Sequence, residues 1–185
     1  LATGARVGEV LALRWSSMNL AEGRMEIIRS HRFFKGRGIV AGSPKTHRSR
    51  RPVALSAETV RVLEEHRRSQ LEHRILLGPA YDSDADLVFA NPLGKPLYDS
   101  TVRRAFYAIV RQAGVGPLRI HDLRHSSITL MLRAKVPVLA VSQRVGHAVP
   151  SFTLGRYGHV LEDEARQAAA ALDSILVGRM SATGP

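Results

Sequence analysis

Between His121 and His159 the chain reads HDLRHSSITLMLRAKVPVLAVSQRVGHAVPSFTLGRYGH. His121 and Arg124 stand three residues apart, a Gly146-His147 pair follows, and Tyr157 lies in Arg156-Tyr157-Gly158-His159. A second arginine sits near the other end, in Thr3-Gly4-Ala5-Arg6-Val7-Gly8-Glu9. Two arginines, two histidines and one tyrosine, with no run of acidic metal ligands beside them, are the parts needed to break a phosphodiester without a metal ion. An arginine fork holds a phosphate in a bidentate way that a point charge cannot match. A histidine titrates near neutrality and can exchange a proton at physiological pH.

These residues need elements to hold them. Apolar Val7, Val10 and Leu11 recur at helical spacing, which predicts a helix over 4–15 with Thr3 as its N-cap and Arg6 one turn from Glu9. Residues 24–31 and 51–55 read as short strands, with a possible third near 38–41, forming a small antiparallel sheet around a basic turn. Pro52 favours a strand edge. Ser56 caps a helix to about Leu71, and 72–86 reads as a helix end and loop. A short apolar segment over 87–90 precedes a turn at Asn91-Pro92-Leu93-Gly94. A helix begins at Asp99 or Ser100 and closes at Gly114. Helix 121–134 then places His121 and Arg124 on one face, a short helix starts near Pro137, and a last one runs over 161–177. The fold class is mainly α with a small antiparallel β-sheet, an α+β architecture, and 1–185 reads as a single domain.

Bulk composition narrows the partner. Lys and Arg number 27 against 16 Asp and Glu, giving a net charge of +11 that suits a nucleic acid. No cysteine is present, which excludes disulfides and thiolate metal sites and fits the cytoplasm. No apolar run approaches the ~20 residues of a membrane-spanning helix, and nothing in the first residues given resembles a signal peptide.

The segments together resemble the catalytic domain of the tyrosine recombinase (phage integrase) family. Thr-Gly-x-Arg-x-x-Glu followed by Leu11-Ala12-Leu13-Arg14-Trp15 is similar to its first motif. Pro44-Lys45-Thr46, with Ser49-x-Arg51-x-Val53-x-Leu55 after it, resembles the lysine-bearing β-hairpin. His121-Asp122-Leu123-Arg124-His125 resembles the His-x-x-Arg motif, and Gly146-His147, Thr153 and Tyr157-Gly158-His159 the final box. Order and intervals agree, with 23 residues from Arg124 to His147 and 10 more to Tyr157.

The resemblance implies a site-specific DNA recombinase or integrase, with type IB topoisomerases as chemical neighbours. Tyr157 would attack the scissile phosphate and leave a 3′-phosphotyrosine and a free 5′-hydroxyl. Religation would then need no ATP, metal or other cofactor. Arg6 and Arg124 would clamp the transition-state charge, with Glu9 orienting Arg6 and His147 as a further donor. His121 is the candidate acceptor of the tyrosine proton and Lys45 the general acid, in competition with Lys35 of the same loop. Fixed positive charge is expected to favour the Tyr157 phenolate. Arg48, Arg50, Arg51 and His159 are expected along the DNA. His125 is left outside the catalytic set, as a supporting or packing residue. The implied partners are a double-stranded recombination site and further copies of the chain in a tetramer, with 161–177 docking on a neighbouring protomer. The resemblance also implies a DNA-clamping N-terminal domain, expected to lie outside residues 1–185.

Two rivals use the same residues. His121-x-x-x-His125 has the histidine spacing of His-Glu-x-x-His zinc hydrolases, with Asp122 for the glutamate and a third ligand needed from His147 or Glu162. A DNA-binding module without catalysis is the other. Tyr157 itself could be a half-buried packing residue, as is the default for Tyr81, Tyr98 and Tyr107. The recombinase reading requires Arg6, Arg124 and His147 to converge on one basic cleft, with Tyr157 free to lie apart.

Overall fold

The computed structural model describes residues 1–34, 36, 38–42, 50–147, 149–157 and 172. Five strands and six helices are named among them: α1 Val7–Leu11, β1 Met18–Asn19, β2 Arg24–Ile27, β3 Ser30–Phe34, β4 Gly38–Gly42, β5 Arg51–Ala54, α2 Ala57–Leu77, α3 Asp99–Gln112, α4 Ile120–Arg133, α5 Val138–Val145 and α6 Pro150–Tyr157. The α+β expectation holds, with two small antiparallel sheets in place of one. One has the order β1-β2-β5, and β3 pairs with β4 in the other. The strand read as 24–31 is broken between Ile27 and Ser30, so its two halves join different sheets.

In the first sheet, alternation decides what is buried. Met25 and Ile27 of β2 and Arg51 and Val53 of β5 point inward, in the register Met25↔Val53 and Ile27↔Arg51. The apolar members meet Leu13, Leu63 of α2 and Val88 to form one core. Pro52 lies on edge strand β5, where its missing N–H costs no ladder bond. Helix α2 starts as expected, with the Ser56 hydroxyl accepting from the Thr59 amide, and runs to Leu77, past the expected end. The turn at 91–94 also forms, with the Asn91 side chain accepting from the Leu93 and Lys95 amides.

A second core lies among α4, α5 and α6, built from Ile128, Leu132, Val141, Val145 and Tyr157. Polar bonds join it to the first half of the chain. The Arg51 Nε donates to the Arg144 carbonyl at 2.7 Å, and Arg144 Nη2 donates to the Ala2 carbonyl at 3.1 Å. Helix α1 is much shorter than the predicted 4–15. Beyond Leu11 the chain is taken into strand-like pairing: the Val88 amide donates to Leu13, the Trp15 amide donates to Asp86, and Arg14 bridges Leu87. Among the described residues, no helix is long and apolar enough to cross a membrane. The predicted helix 161–177 lies outside the described residues except for Leu172.

Candidate active site

The two cores meet along a polar seam, and most of the predicted residues lie in it. Arg6 is the N-cap of α1, a position the sequence reading assigned to Thr3. Glu9, on the first turn, is 3% exposed and accepts four bonds. Its Oε2 takes the Arg6 amide and Arg51 Nη2, both at 2.9 Å. Its Oε1 takes Arg6 Nη1 at 2.9 Å and Arg51 Nη1 at 3.3 Å. Burial alone would raise the Glu9 pKa, but the bond and charge of Arg51, followed by Arg6, outweigh it and hold the carboxyl below its ordinary range. A saturated carboxylate of this kind fixes both guanidinium groups.

Arg51 therefore departs from its expected place along the DNA. It is 7% exposed, spent on Glu9 and the Arg144 carbonyl, because β5 turns it inward beside Val53. Its guanidinium also packs against Gly146, where an added Cβ would lie 2.6 Å from Nη1. Gly146 ends α5 in the left-handed region at φ +69°, and the His147 amide donates back to the Ser142 carbonyl. This turn aims His147 into the seam, and Arg6 Nη2 reaches the Gly146 carbonyl at 3.4 Å.

Arg124 enters from α4. It is 5% exposed and donates to the carbonyls of Gly4 at 2.6 Å and Val145 at 2.7 Å. Burial, with Arg6 as the next contributor, lowers its pKa to about 10, so it remains a cation at neutral pH. His147 Nδ1 bonds the hydroxyl of buried Thr153 at 2.7 Å, and its ring meets Phe152 edge-on. Burial first, then the charges of Arg124, Arg6 and Arg51, push His147 down to about 4. The ring is thus neutral, and a Thr153 hydroxyl donating to Nδ1 leaves the ring proton on Nε2. His121 is exposed near the start of α4, and its pKa is lowered by burial and then by Arg124.

Tyr157, the last residue of α6, is 5% exposed and belongs to the second core. It stays with the cluster, close enough to feel the charge of Arg124. Its hydroxyl meets His125 Nδ1, not His121, a contact that sequence spacing did not reveal. Its pKa moves opposite to the expected direction: burial raises it, and Arg156 and Arg124 offset only part of that. Arg50 is exposed and lines a cleft of about 440 Å³ with Ser142, Gly146 and His147. Lys45, Lys35, Arg48 and His159 lie outside the described residues.

Among the described residues no three His, Cys, Asp or Glu side chains group to hold a metal ion, and Glu162, one of the two third ligands weighed for zinc, lies outside them. His121 and His125 instead meet ring edge to ring face at 4.8 Å. Asp122, the would-be base, caps α4 through Arg119, which holds it at about 2.

A family model described as the phage integrase family matches residues 1–164. A "Tyrosine recombinase XerC-like" protein of Caldanaerobacter subterraneus is 28% identical over 188 residues, covering 95% of this chain and 47% of that protein. An "Integrase" of Streptomyces ambofaciens is 32% identical over 187 residues, covering 95% and 46%. The chain thus spans about half the length of these curated relatives. Among solved structures, the XerH site-specific recombinase bound to difH substrate is 26% identical with a TM-score of 0.59, over 83% of this chain and 39% of that one. Family match and fold agree with the gathered arginines, histidines and tyrosine: the chain belongs to the phage integrase family of tyrosine recombinases.

Proposed function

We propose that residues 1–185 are the catalytic unit of a site-specific DNA recombinase or integrase acting in the cytoplasm. The observation that carries this reading is the meeting of Arg6, Arg124, His147 and Tyr157 at one seam, from α1, α4, the end of α5 and α6. Tyr157 attacks the scissile phosphate of duplex DNA to give a 3′-phosphotyrosine. Arg6 and Arg124, already aimed by Glu9 and by two carbonyls, clamp the non-bridging oxygens with little reorganisation. His147 donates Nε2–H to the same phosphate, and His121 faces the DNA from the exposed side of α4. Lys45 protonates the departing 5′-oxygen, and Arg48, Arg50 and His159 contact the backbone. No metal or nucleotide takes part. Strand exchange uses a tetramer on DNA, with 161–177 docked on a neighbouring protomer.

The test is a nicked suicide duplex incubated with the full-length protein. A covalent protein–DNA adduct is expected, and Tyr157→Phe abolishes it. An adduct that survives this change, or cleavage that depends on added zinc, overturns the assignment.

A further inference from the structure

We propose that His125 is the residue that holds the Tyr157 hydroxyl and accepts its proton as the phenolic oxygen attacks phosphorus. The inference rests on Tyr157 being the nucleophile and adds a catalytic residue to that site. Helix α4 carries both groups involved. Arg124 points into the seam, and the next residue, about 100° further round the helix, faces α6. There His125 Nδ1 meets the Tyr157 hydroxyl, with the ring centroids 6.0 Å apart. His121 stacks edge-on behind His125 at 4.8 Å, on the exposed side.

Among the described residues, the charged and titratable groups around the pair are Arg119, His121, Asp122 and Arg124 from α4 and its cap, Arg156 from α6, and His147. Burial, then His121 and Arg156, lower the His125 pKa and favour the neutral ring, with Asp122 acting against them. A neutral ring protonated on Nε2 presents a lone pair on Nδ1, the atom that touches the hydroxyl. In the step, the phenolic O–H bond breaks and its proton passes to Nδ1. The oxygen's electron pair forms the new P–O bond. The bond from phosphorus to the 5′-oxygen breaks, and that oxygen takes a proton from the general acid, assigned to Lys45. Religation returns the proton from His125 to the tyrosine.

A buried tyrosine hydroxyl also needs a partner for packing alone, so the experiment must separate holding from proton transfer. His125→Asn places an amide oxygen near the Nδ1 position, which accepts the bond and cannot take the proton. With the full-length protein on a nicked suicide duplex, single-turnover adduct formation should fall about 10²- to 10⁴-fold. The remaining rate should climb with pH toward the tyrosine's own ionisation, whereas the wild-type rate levels off above neutrality. A 5′-bridging phosphorothiolate, whose thiolate leaves unaided, should rescue Lys45→Ala and leave His125→Asn slow.

A near-wild-type rate for His125→Asn, or its rescue by the phosphorothiolate, overturns the proposal. Tyr157→Phe run beside it separates the two readings: no adduct from that variant keeps the recombinase assignment standing even if His125 fails. If His125→Asn does not fold, ¹⁵N shifts of the wild-type ring decide. An unprotonated Nδ1 with a protonated Nε2 supports the proposal, and a protonated Nδ1 overturns it.

Discussion

Replacing Arg51 by Met should destabilise the fold far more than removal of a surface cation. The side chains of Arg51 and Glu9 are only 6% and 4% exposed, and they share two hydrogen bonds. Met fills most of the volume and leaves Glu9 a buried carboxylate whose remaining cation, Arg6, has a side chain 44% exposed. Stranding one member of a buried pair costs about 3–5 kcal/mol. At roughly 2–4 °C per kcal/mol for a domain of this length, the melting temperature should drop by about 6–20 °C. Circular dichroism at pH 7 measures it. The Glu9→Gln/Arg51→Met double variant should recover much of the loss, because no charge is then left alone. The Glu9 pKa is held down in the folded wild type, so its contribution is full above the ordinary carboxylate range and is lost as pH falls through the folded value. With Arg51 gone, Glu9 can protonate, and the gap between variant and wild type should narrow in acid. A loss below ~1 kcal/mol, the range of an exposed pair, refutes the reasoning. So does a double variant less stable than Arg51→Met.

Gly146→Ala should cost more than Gly114→Ala. Both positions have positive φ, at +69° and +63°, but only the Cβ at 146 meets the Arg51 guanidinium, and equal melting losses would contradict this. His147 should titrate near 4 in the free protein, with stability falling as pH drops from about 6.5 toward that value, because the unfolded ring binds its proton first. An NMR midpoint at the ordinary histidine value would be the contrary result. Arg124→Lys keeps the charge but loses the fork that reaches the Gly4 and Val145 carbonyls together. Suicide-substrate cleavage should fall about 10²- to 10³-fold, the usual effect of losing one transition-state donor. Affinity for non-specific duplex should hold, and wild-type cleavage would count against the clamp.

Much of the candidate site was legible as spacing, because Arg6, Arg124, His147 and Tyr157 each sit in a short motif whose local structure the motif itself builds. Gly146 turns His147 inward, and Glu9 caps its own helix against Arg6. What spacing could not supply was tertiary. Helix α1 looked three turns long from Val7, Val10 and Leu11, yet pairing with 86–88 claims the chain after one. Arg51 was read as a DNA contact from its basic neighbours, although the alternation Arg51-x-Val53-x-Leu55 already placed it on the inward face. Helix α6 has Pro150 at its first position, a start signal passed over in so short a segment. The His125–Tyr157 bond had no local signal, since it depends on where α6 docks against α4.

The fork of Arg124 joins Gly4 to Val145, so a residue of the proposed phosphate clamp is also a fastener between segments far apart in the chain. Translation delivers these parts in order. A ribosome-bound chain that has just emitted α1 holds Arg6 and Glu9, but neither the fastener nor the proposed nucleophile. The proposed nucleophile arrives only with α6, after α1, α4 and α5 have emerged. On the proposed mechanism, a prematurely terminated chain lacking Tyr157 has no nucleophile with which to open a DNA strand.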